Sequence, residues 1–445
     1  MPVDPFWRSR NGQAAIYCGD AREVLRTLPE KSVHCVVTSP PYWQIRDFGV
    51  APTIWGGDSA CDHDFSVPAM TPMMPKMSGE ESEGTIAGTQ QGDRREAALH
   101  SGPQEGALCS RCGAWVGCLG LEPTPQLFVE HLVEVFREVR RVLRDDGTLW
   151  LNMGDIYAND QADRQLATGE LPEAGWAKHP GWPEWAEHRY ARRAGTYSFR
   201  ATRMKPKDLV GIPWMAAFAL RNDGWWLRSD VIWAKGVSGD ACKHGWSGNP
   251  IPESVTDRPV AAHEHVFLLA KNEQYFYDAD AVREPYDPVS IRRYRIPMQD
   301  VQILGRQHPA GRNLRDVWTI SNERFPGAHF ATFSEKLVKL CILAGCPSAV
   351  CAKCGKPRKQ DRGTVSWTDC GCNAGWVPGT VLDPFVGSGT TAAVAVRYGR
   401  NAIGIDLNPD YCKMAGKRVY RELYRPRLSF DTEAADTTHS GMKGE

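Results

Sequence analysis

The sequence of 445 residues lacks any excess of charge, because 53 basic residues balance 53 acidic ones. This balance excludes nucleic-acid binding by bulk electrostatics, so any such contact must come from local patches. The sequence also lacks an apolar run of transmembrane length. Its opening stretch, Met1 to Pro5, is unlike a signal peptide. We therefore expect a cytoplasmic protein with no membrane partner.

We also expect no disulfide framework, although the chain has 14 cysteines. That number in a chain without a secretion signal fits a reducing compartment and metal sites better. The apolar content of 42% is enough for a sizeable core. Length alone is compatible with one large domain or with two to three smaller ones.

Two groups of cysteines have the spacing of zinc ligands. One group is Cys351, Cys354, Cys370 and Cys372, whose four thiolates would close the metal shell and make the zinc structural. The other group is Cys61, His63, Cys109 and Cys112, with Cys118 as the alternative ligand if His63 is not used. We expect one or two structural Zn²⁺ ions, and free thiols are the alternative for both groups.

A proline-rich loop follows a short apolar run, Val33 to Val37, that reads as a buried parallel strand. In the loop, Pro40 and Pro41 fix the backbone and remove two N–H donors, so the chain leaves the strand in a rigid conformation. The hydroxyl of Ser39 and the carbonyl of Pro40 can accept hydrogen bonds from one amino group, and Tyr42 offers a face for stacking. An ordinary proline-rich turn remains the alternative interpretation.

A glycine-containing turn, Asp383 to Gly389, connects another strand to a helix that starts at Thr390. Glycines let the backbone approach a ligand closely, and a helix N-terminus favours negative charge. The next strand ends in Asp406, about where a ribose-binding acid falls in folds of this kind.

Together the two motifs resemble the beta class of DNA amino-methyltransferases, the family that methylates N4 of cytosine or N6 of adenine. Ser39-Pro40-Pro41-Tyr42 matches the catalytic motif of that family, and Asp383 to Gly389 matches its cofactor loop. The catalytic motif comes first in the chain, which is the beta order. The resemblance implies an α/β fold with a doubly wound, Rossmann-like and circularly permuted sheet that carries inserted loops and zinc knuckles. It also implies double-stranded DNA as partner, and a partner restriction nuclease is possible.

The resemblance implies S-adenosyl-L-methionine as cofactor. The cofactor-binding residues that follow are Asp20, Thr332, Phe333, Ser334, Asp383, Pro384, Phe385, Gly387, Gly389, Thr390 and Asp406. The family commonly has proline where this chain has Ser334, which also reads as a helix cap. For Asp20, a helix N-cap is an equally good interpretation.

The same resemblance assigns catalysis to Ser39, Pro40, Pro41 and Tyr42. A flipped base would place its amine against Ser39 and the Pro40 carbonyl, and Tyr42 would stack on the ring. The chain has no Pro-Cys dipeptide, which argues against ring-carbon cytosine methylation. Serine at the first motif position favours N4 of cytosine over N6 of adenine. The alternatives are an RNA or protein-amide methyltransferase and a non-catalytic zinc protein that binds nucleic acid.

Target recognition is predicted in an arginine-rich segment from Ala281 to Phe325, which has 8 arginines and no lysine. Its candidate DNA-binding residues are Arg292, Arg293, Arg295, Arg306, Arg312 and Arg315. A second candidate surface contains Trp176, Trp182, Trp185, Arg189, Arg192 and Arg193. Weaker site candidates are Asn152 and Asp155, and His263 and His265 read as structural or as pocket lining.

Periodicity predicts helices over 124–144, 207–221, 334–344 and 390–398, and strands over 148–152, 225–235 and 263–271, the last two pairing as a hairpin. We expect the following organisation: a catalytic-loop half over 1–65, a mobile acidic insert over 66–108, and a core over 109–235 with a polar excursion over 158–205. A hairpin and recognition segment over 236–325 follows. The chain then has a cofactor-binding half over 326–425 with its knuckle over 351–372, and a disordered tail over 426–445.

Overall fold

The computed structural model describes residues 3–45, 49–65, 67–68, 106–158, 204–205, 207–238, 246–248, 255–286, 308, 311–321, 333–358 and 370–424. The strands are β1 (Trp7–Arg8), β2 (Ala14–Cys18), β3 (Val33–Thr38), β4 (Thr53–Trp55), β5 (Val67–Pro68), β6 (Ala107–Leu108), β7 (Trp115–Gly117), β8 (Leu143–Met153), β9 (Trp226–Ala234), β10 (Gly236–Ser238), β11 (Trp246–Gly248), β12 (His263–Ala270), β13 (Val317–Thr319), β14 (Val350–Cys351), β15 (Trp376–Val377), β16 (Thr380–Asp383) and β17 (Asn401–Asp406). The α-helices are α1 (Ala21–Thr27), α2 (Pro125–Val142), α3 (Ile212–Asn222), α4 (Glu335–Gly345), α5 (Thr390–Arg397) and α6 (Pro409–Tyr424), and a short 3-10 helix spans Asp280–Val282.

Within the described residues, nine strands form one central sheet in the order β1-β2-β17-β16-β3-β8-β12-β9-β13. The five strands from β2 to β8 in this order are mutually parallel. β12 runs antiparallel to both β8 and β9, so the predicted pairing of 225–235 with 263–271 is confirmed. The sheet is therefore a parallel core to which the antiparallel strand β12 joins β9 and its parallel edge strand β13.

The sheet is assembled from the two ends of the chain. β16 and β17, from the last part of the sequence, lie between β2 and β3 from the first part. Val381 pairs with Cys35 and Leu382 with Val36, which aligns the carboxyl ends of β16 and β3. Because ligands bind at the carboxyl ends of parallel strands, the two sequence motifs meet at one edge.

Helices cover both faces of the sheet, as a doubly wound fold requires. On one face α1, α2 and α3 bury a core that includes Leu25, Phe128 and Leu220. On the other face α4, α5 and α6 bury Leu337 and Val394 with their neighbours. The apolar stripe predicted for α2 is core, and the α/β fold class is confirmed.

A small antiparallel sheet of four strands, in the order β4-β7-β6-β5, lies in the inserted region after the proline-rich loop. Trp55 and Trp115 from this sheet pack on His131 of α2, with ring centroids 5.3 Å and 5.6 Å away. These aromatic contacts attach the inserted sheet to the helical layer that contains α2.

Three predicted boundaries are wrong. The strand predicted over 148–152 begins earlier, because β8 starts at Leu143. The predicted helix over 124–144 ends at Val142, because Leu143 already pairs with Val33 in the sheet across an irregular register. The predicted helix over 207–221 starts at Ile212. Before it, Leu209 forms a β-bridge with Tyr157, and Gly211 adopts a left-handed φ of 82° that no helix interior allows.

Several predictions lie outside the described residues. These concern most of the insert over 66–108, the excursion over 158–205 with its tryptophans and arginines, and the tail over 426–445. Within the part of the chain that the structure describes, no helix is both long and apolar enough to cross a membrane.

Candidate active site

The proline-rich loop leaves the carboxyl end of β3 and is anchored from behind. The indole of Trp43, just after the loop, donates to the carbonyl of Glu122 at 2.8 Å, and the side chain of Gln44 donates to the same carbonyl. The Glu122 carboxylate accepts from His131 Nδ1 at 3.0 Å and from the Gly120 N–H at 2.8 Å. Burial raises the pKa of Glu122. This buried pair fixes the segment that follows the loop.

Three polar groups converge in front of the loop. Ser39 Oγ donates to the Tyr42 hydroxyl at 3.3 Å. The amide of Asn152, near the end of β8, donates to the Tyr42 hydroxyl at 2.8 Å and reaches Ser39 Oγ at 3.4 Å. Asn152 Oδ1 is buried with no hydrogen-bond partner in the described structure. Asn152, a weaker candidate from the sequence, therefore lies within the loop's own network.

The sequence analysis missed two charged residues of this network. Tyr42 donates its hydroxyl proton to Glu264 Oε2 at 2.8 Å, and the Asn152 amide donates to the same oxygen at 2.9 Å. Lys235, just after β9, pairs with the other oxygen of this carboxylate. Burial is the main factor that raises the pKa of Tyr42 well above its ordinary value, and the Glu264 charge adds to it. The available signal was one acid at the start of β12 and one lysine just after the end of β9.

Gly154 is a third residue for which the sequence predicted no role. A Cβ at this position would lie 2.7 Å from Cε2 of Tyr42, so only glycine leaves room for the ring. Its neighbour Asp155 turns away, because its carboxylate accepts from the N–H groups of Gly211 and Ile212 at 3.0 Å and 3.1 Å. Asp155 therefore caps α3 and does not face the loop.

Neighbouring residues on β12 have other roles. His265 Nδ1 lies 2.9 Å from Asp230 Oδ1, and its ring stacks on Phe267 with an interplanar angle of 4°. His263 packs edge-on against His265. Both histidines are structural in this arrangement, on the strand face opposite to Glu264.

The glycine turn lies beside this network, at the carboxyl end of β16. Gly387 and Gly389 have φ values of 49° and 86°, in the left-handed region that glycine adopts without strain. A Cβ on Gly389 would lie 2.7 Å from Cα of Ala415 in α6. At these two glycines no side chain covers the backbone of the turn, which leads directly to Thr390, the first residue of α5.

Asp383 connects the two motifs. Its Oδ1 accepts from Thr38 Oγ1 at 2.7 Å and from the Phe385 N–H at 3.1 Å. Its Oδ2 is buried with no partner within the described residues. Burial raises the pKa of Asp383 to about 6. A buried carboxylate with one open oxygen is suited to a cationic or N–H-bearing ligand.

Asp406, at the end of β17, holds the turn from the other side. Its two oxygens accept from the N–H groups of Gly387 at 2.8 Å and Asn408 at 2.9 Å. Burial raises the pKa of Asp406 to about 6. Each carboxylate oxygen has two lone pairs, so these bonds leave capacity for ribose hydroxyl groups.

The remaining cofactor candidates have visible structural roles. Asp20 is the N-cap of α1 and pairs with Arg22 at 2.7 Å. Burial opposes ionisation of this carboxyl, but Arg22 overcomes that effect and lowers its pKa. Ser334 caps α4 through the Lys336 N–H, and Phe333 packs on the adjacent core. Thr332 lies outside the described residues.

The structure gathers both groups of zinc candidates. In each group, Cys61, His63, Cys109 and Cys112 or Cys351, Cys354, Cys370 and Cys372, the ligand atoms lie within 4.8 Å of one another. Cys61 Sγ and Cys109 Sγ are 3.9 Å apart, and a tetrahedral zinc with bonds of about 2.3 Å separates its sulfurs by about 3.8 Å. Cys118 lies apart and contacts the Val50 carbonyl. Both donor sets fit a tetrahedral metal.

The predicted DNA-binding arginines are only partly described. Arg312 and Arg315 both direct their Nε–H groups at Glu284, at 2.9 Å and 3.0 Å. Their guanidinium groups keep further N–H donors beyond these bonds. Arg292, Arg293, Arg295 and Arg306 lie outside the described residues.

Comparison with known proteins identifies the family. A profile of the DNA methylase family of N6 and N4 methyltransferases matches residues 33–417. The chain belongs to this family. The Type II methyltransferase M.Cfr9I of Citrobacter freundii is 32% identical, with 95% of this chain and 94% of the relative covered. M.SmaI of Serratia marcescens is 31% identical over 91% and 90%.

Solved structures of other methylases are also similar to this one. A putative DNA modification methylase of Thermus thermophilus, in complex with S-adenosyl-L-methionine, is 19% identical with a TM-score of 0.40, over 92% of this chain and 94% of the other. The cytosine-N4-specific PvuII DNA methyltransferase is 15% identical with a TM-score of 0.44, over 93% and 88%.

Proposed function

We propose that this DNA methylase transfers a methyl group from S-adenosyl-L-methionine to N4 of a cytosine flipped out of duplex DNA. The observation that carries the proposal is the hydrogen bonding of Ser39. A serine hydroxyl has one proton and two lone pairs. Its proton is directed at Tyr42 and one lone pair faces Asn152, so one lone pair remains to accept an amine proton.

The neighbouring backbone supplies a second acceptor. Within the described residues the Pro40 carbonyl accepts no hydrogen bond, and Pro40 and Pro41 have no N–H with which to compete. Two acceptors on one loop would orient both protons of an amino group and direct its lone pair away from the loop. Positioning of this kind is the main way in which an enzyme speeds direct attack on an activated methyl group.

Residues at neighbouring strand ends would hold the cofactor. When bound, S-adenosyl-L-methionine supplies the activated methyl group. We assign ribose binding to Asp406 and the approach of the methionine end to the bare turn at Gly387 and Gly389. The open Oδ2 of Asp383 would accept from the cationic amino group. Pro384, Phe385 and Thr390 shape the same turn. Phe333, Ser334 and Thr332 would lie near the methionine end, and Asp20 near the adenine.

We further propose a structural zinc ion in each cysteine group. The clustering of the ligand atoms supports both sites. In the second group, N–H groups of Cys354 and Lys353 lower the pKa of the Cys351 thiol to about 6, as knuckle turns do. The first zinc would brace the inserted sheet that packs on His131.

DNA binding is assigned to the arginine-rich segment. The two described members, Arg312 and Arg315, share Glu284 and retain further donors, so they fit contacts with phosphates. The relatives are named Type II methyltransferases, which supports a role beside a restriction nuclease that recognises the same sequence.

The choice of cytosine as the target base is the most specific part of the proposal. Serine at the first motif position favours cytosine, and N6 of adenine is the alternative because the same loop geometry serves either amine.

Incubation with labelled cofactor and duplex DNA, RNA or protein identifies the substrate class, and we expect label in duplex DNA alone. Label in RNA or protein, or in none of the three, would contradict the proposal.

A further inference from the structure

The deprotonation of the target amine requires a proton acceptor, and this inference rests on the proposed function. When the amine nitrogen bonds to the methyl carbon, the S–CH₃ bond breaks and its electron pair stays on sulfur. Positive charge develops on the nitrogen as this bond forms, so loss of one amine proton during the same step lowers the barrier to methyl transfer. Ser39 is already a hydroxyl and cannot keep an extra proton, so that proton must move further.

A hydrogen-bonded chain leads from Ser39 to a carboxylate. Ser39 Oγ donates to the Tyr42 hydroxyl at 3.3 Å, and the Tyr42 hydroxyl donates to Glu264 Oε2 at 2.8 Å. Each member thus has its own proton directed at the next member. The two amide protons of Asn152 are directed at the Tyr42 hydroxyl at 2.8 Å and at Glu264 Oε2 at 2.9 Å, and its nitrogen lies 3.4 Å from Ser39 Oγ. Tyr42 has both its acceptor and donor capacity used within this chain, so its hydroxyl cannot serve the base directly.

We propose that Glu264 takes up, through Tyr42 and Ser39, the proton that the methylated amine loses. The amine proton passes to Ser39 Oγ while the Ser39 proton passes to Tyr42 and the Tyr42 proton to Glu264. The electron pair of the broken N–H bond stays on nitrogen, and the base becomes neutral. Glu264 then releases the proton to solvent, which reaches it because its side chain is 14% exposed.

The partners of Glu264 fit this role. Lys235 and the Asn152 amide hold the carboxylate in place from two sides without giving it a proton. A positive nitrogen conjugated to a base ring is a strong acid, so even a carboxylate beside a lysine can accept its proton. Glu264 does not touch the base, and it acts as a positioning residue at the end of the relay.

The test is Glu264→Gln, which retains the shape and the acceptor oxygen for Tyr42 but removes the basic group. Single-turnover methyl transfer at saturating cofactor and DNA should fall about 10²-fold, at the lower end of proton-transfer effects. DNA and cofactor affinities should stay within about twofold of the wild type. Glu138→Gln, a surface acid paired with Arg141, is the matched control and should keep the wild-type rate.

Lys235→Met separates a relay from a simple ion pair. A relay leaves Glu264 able to accept the proton, so this variant should lose far less rate than Glu264→Gln. If the ion pair were only structural, both variants would lose rate equally, which would overturn the proposal. Thermal midpoints must accompany both measurements, because an unpaired buried charge destabilises the fold.

One more variant keeps the inference open to refutation if Glu264→Gln does not fold. Tyr42→Phe keeps the ring and interrupts the relay, so it should show a similar loss of rate. A wild-type rate in Tyr42→Phe or in Glu264→Gln overturns the relay. Absence of transfer by the wild type instead refutes the proposed function.

Discussion

Replacing Asp383 with asparagine should stabilise the folded protein above pH 6. Burial raises the pKa of Asp383 from 3.8 to about 6, so the folded state binds its proton more tightly than the unfolded state does. Ionisation of Asp383 therefore lowers the free energy of unfolding. This loss of stability is absent below pH 3.8 and complete above pH 6. The pKa shift of about 2 corresponds to a loss of about 3 kcal/mol in stability above pH 6, and roughly half of this loss is already present at pH 5. Asparagine keeps the oxygen that accepts from Thr38 and Phe385.

Urea denaturation of wild type and Asp383→Asn at pH 5 and pH 8 measures this difference. From pH 5 to pH 8, the free energy of unfolding of the variant should rise by about 1.5 kcal/mol relative to that of the wild type. Asp20→Asn is the control of opposite sign: Arg22 lowers the pKa of Asp20, so this variant should be less stable than wild type at both pH values. A stability difference for Asp383→Asn that does not change with pH would refute the reasoning. We also expect the stabilised variant to bind cofactor more weakly, which would explain why a destabilising acid stands there.

Three further predictions follow from the site. Gly389→Ala should greatly weaken cofactor binding measured by calorimetry, because its Cβ meets Ala415, whereas Gly399→Ala, with a φ of 71° and open space, should only reduce stability by about 1 kcal/mol. Purified protein should contain two zinc ions by elemental analysis, and Cys351→Ser should contain one fewer; metal-free reduced protein would refute both sites. Replacing Arg292, Arg293 and Arg295 with alanine should weaken DNA binding and flatten its salt dependence, whereas Arg137→Ala should change neither. If the salt dependence of DNA binding stayed unaltered, the recognition surface would have to lie elsewhere in the protein.

Much of the fold followed from the sequence because the relevant signals are local. Short apolar runs ending in prolines or acids predicted β3, β16 and β17, and the order of the motifs predicted that both chain ends share one sheet. Boundaries were less accurate where tertiary pairing overrides propensity. Leu143 and Gly147 are at a helix end in sequence but belong to β8, and no local pattern reveals the irregular register with β3.

The candidate site was predictable as two motifs but not as a network. Ser39, Tyr42 and the cysteine sets were identified because their spacing is itself the signal. Glu264 lies 222 residues after Tyr42, and no local pattern around the tyrosine indicates this partner. The meeting of Glu264 with Tyr42 and Lys235 depends on β12 lying between β8 and β9, a long-range pairing. The role of Gly154 likewise depends on the position of the Tyr42 ring.

The most direct test of the central claim is mass spectrometry of nucleosides from duplex DNA that has been incubated with the protein and S-adenosyl-L-methionine carrying a deuterated methyl group. The account predicts N4-methylcytosine with the deuterated methyl, and loss of this product in Ser39→Ala. N6-methyladenine would change the target base but keep the amine mechanism. A deuterated 5-methylcytosine would contradict the mechanism, because the loop described here has no nucleophile that could activate the ring carbon.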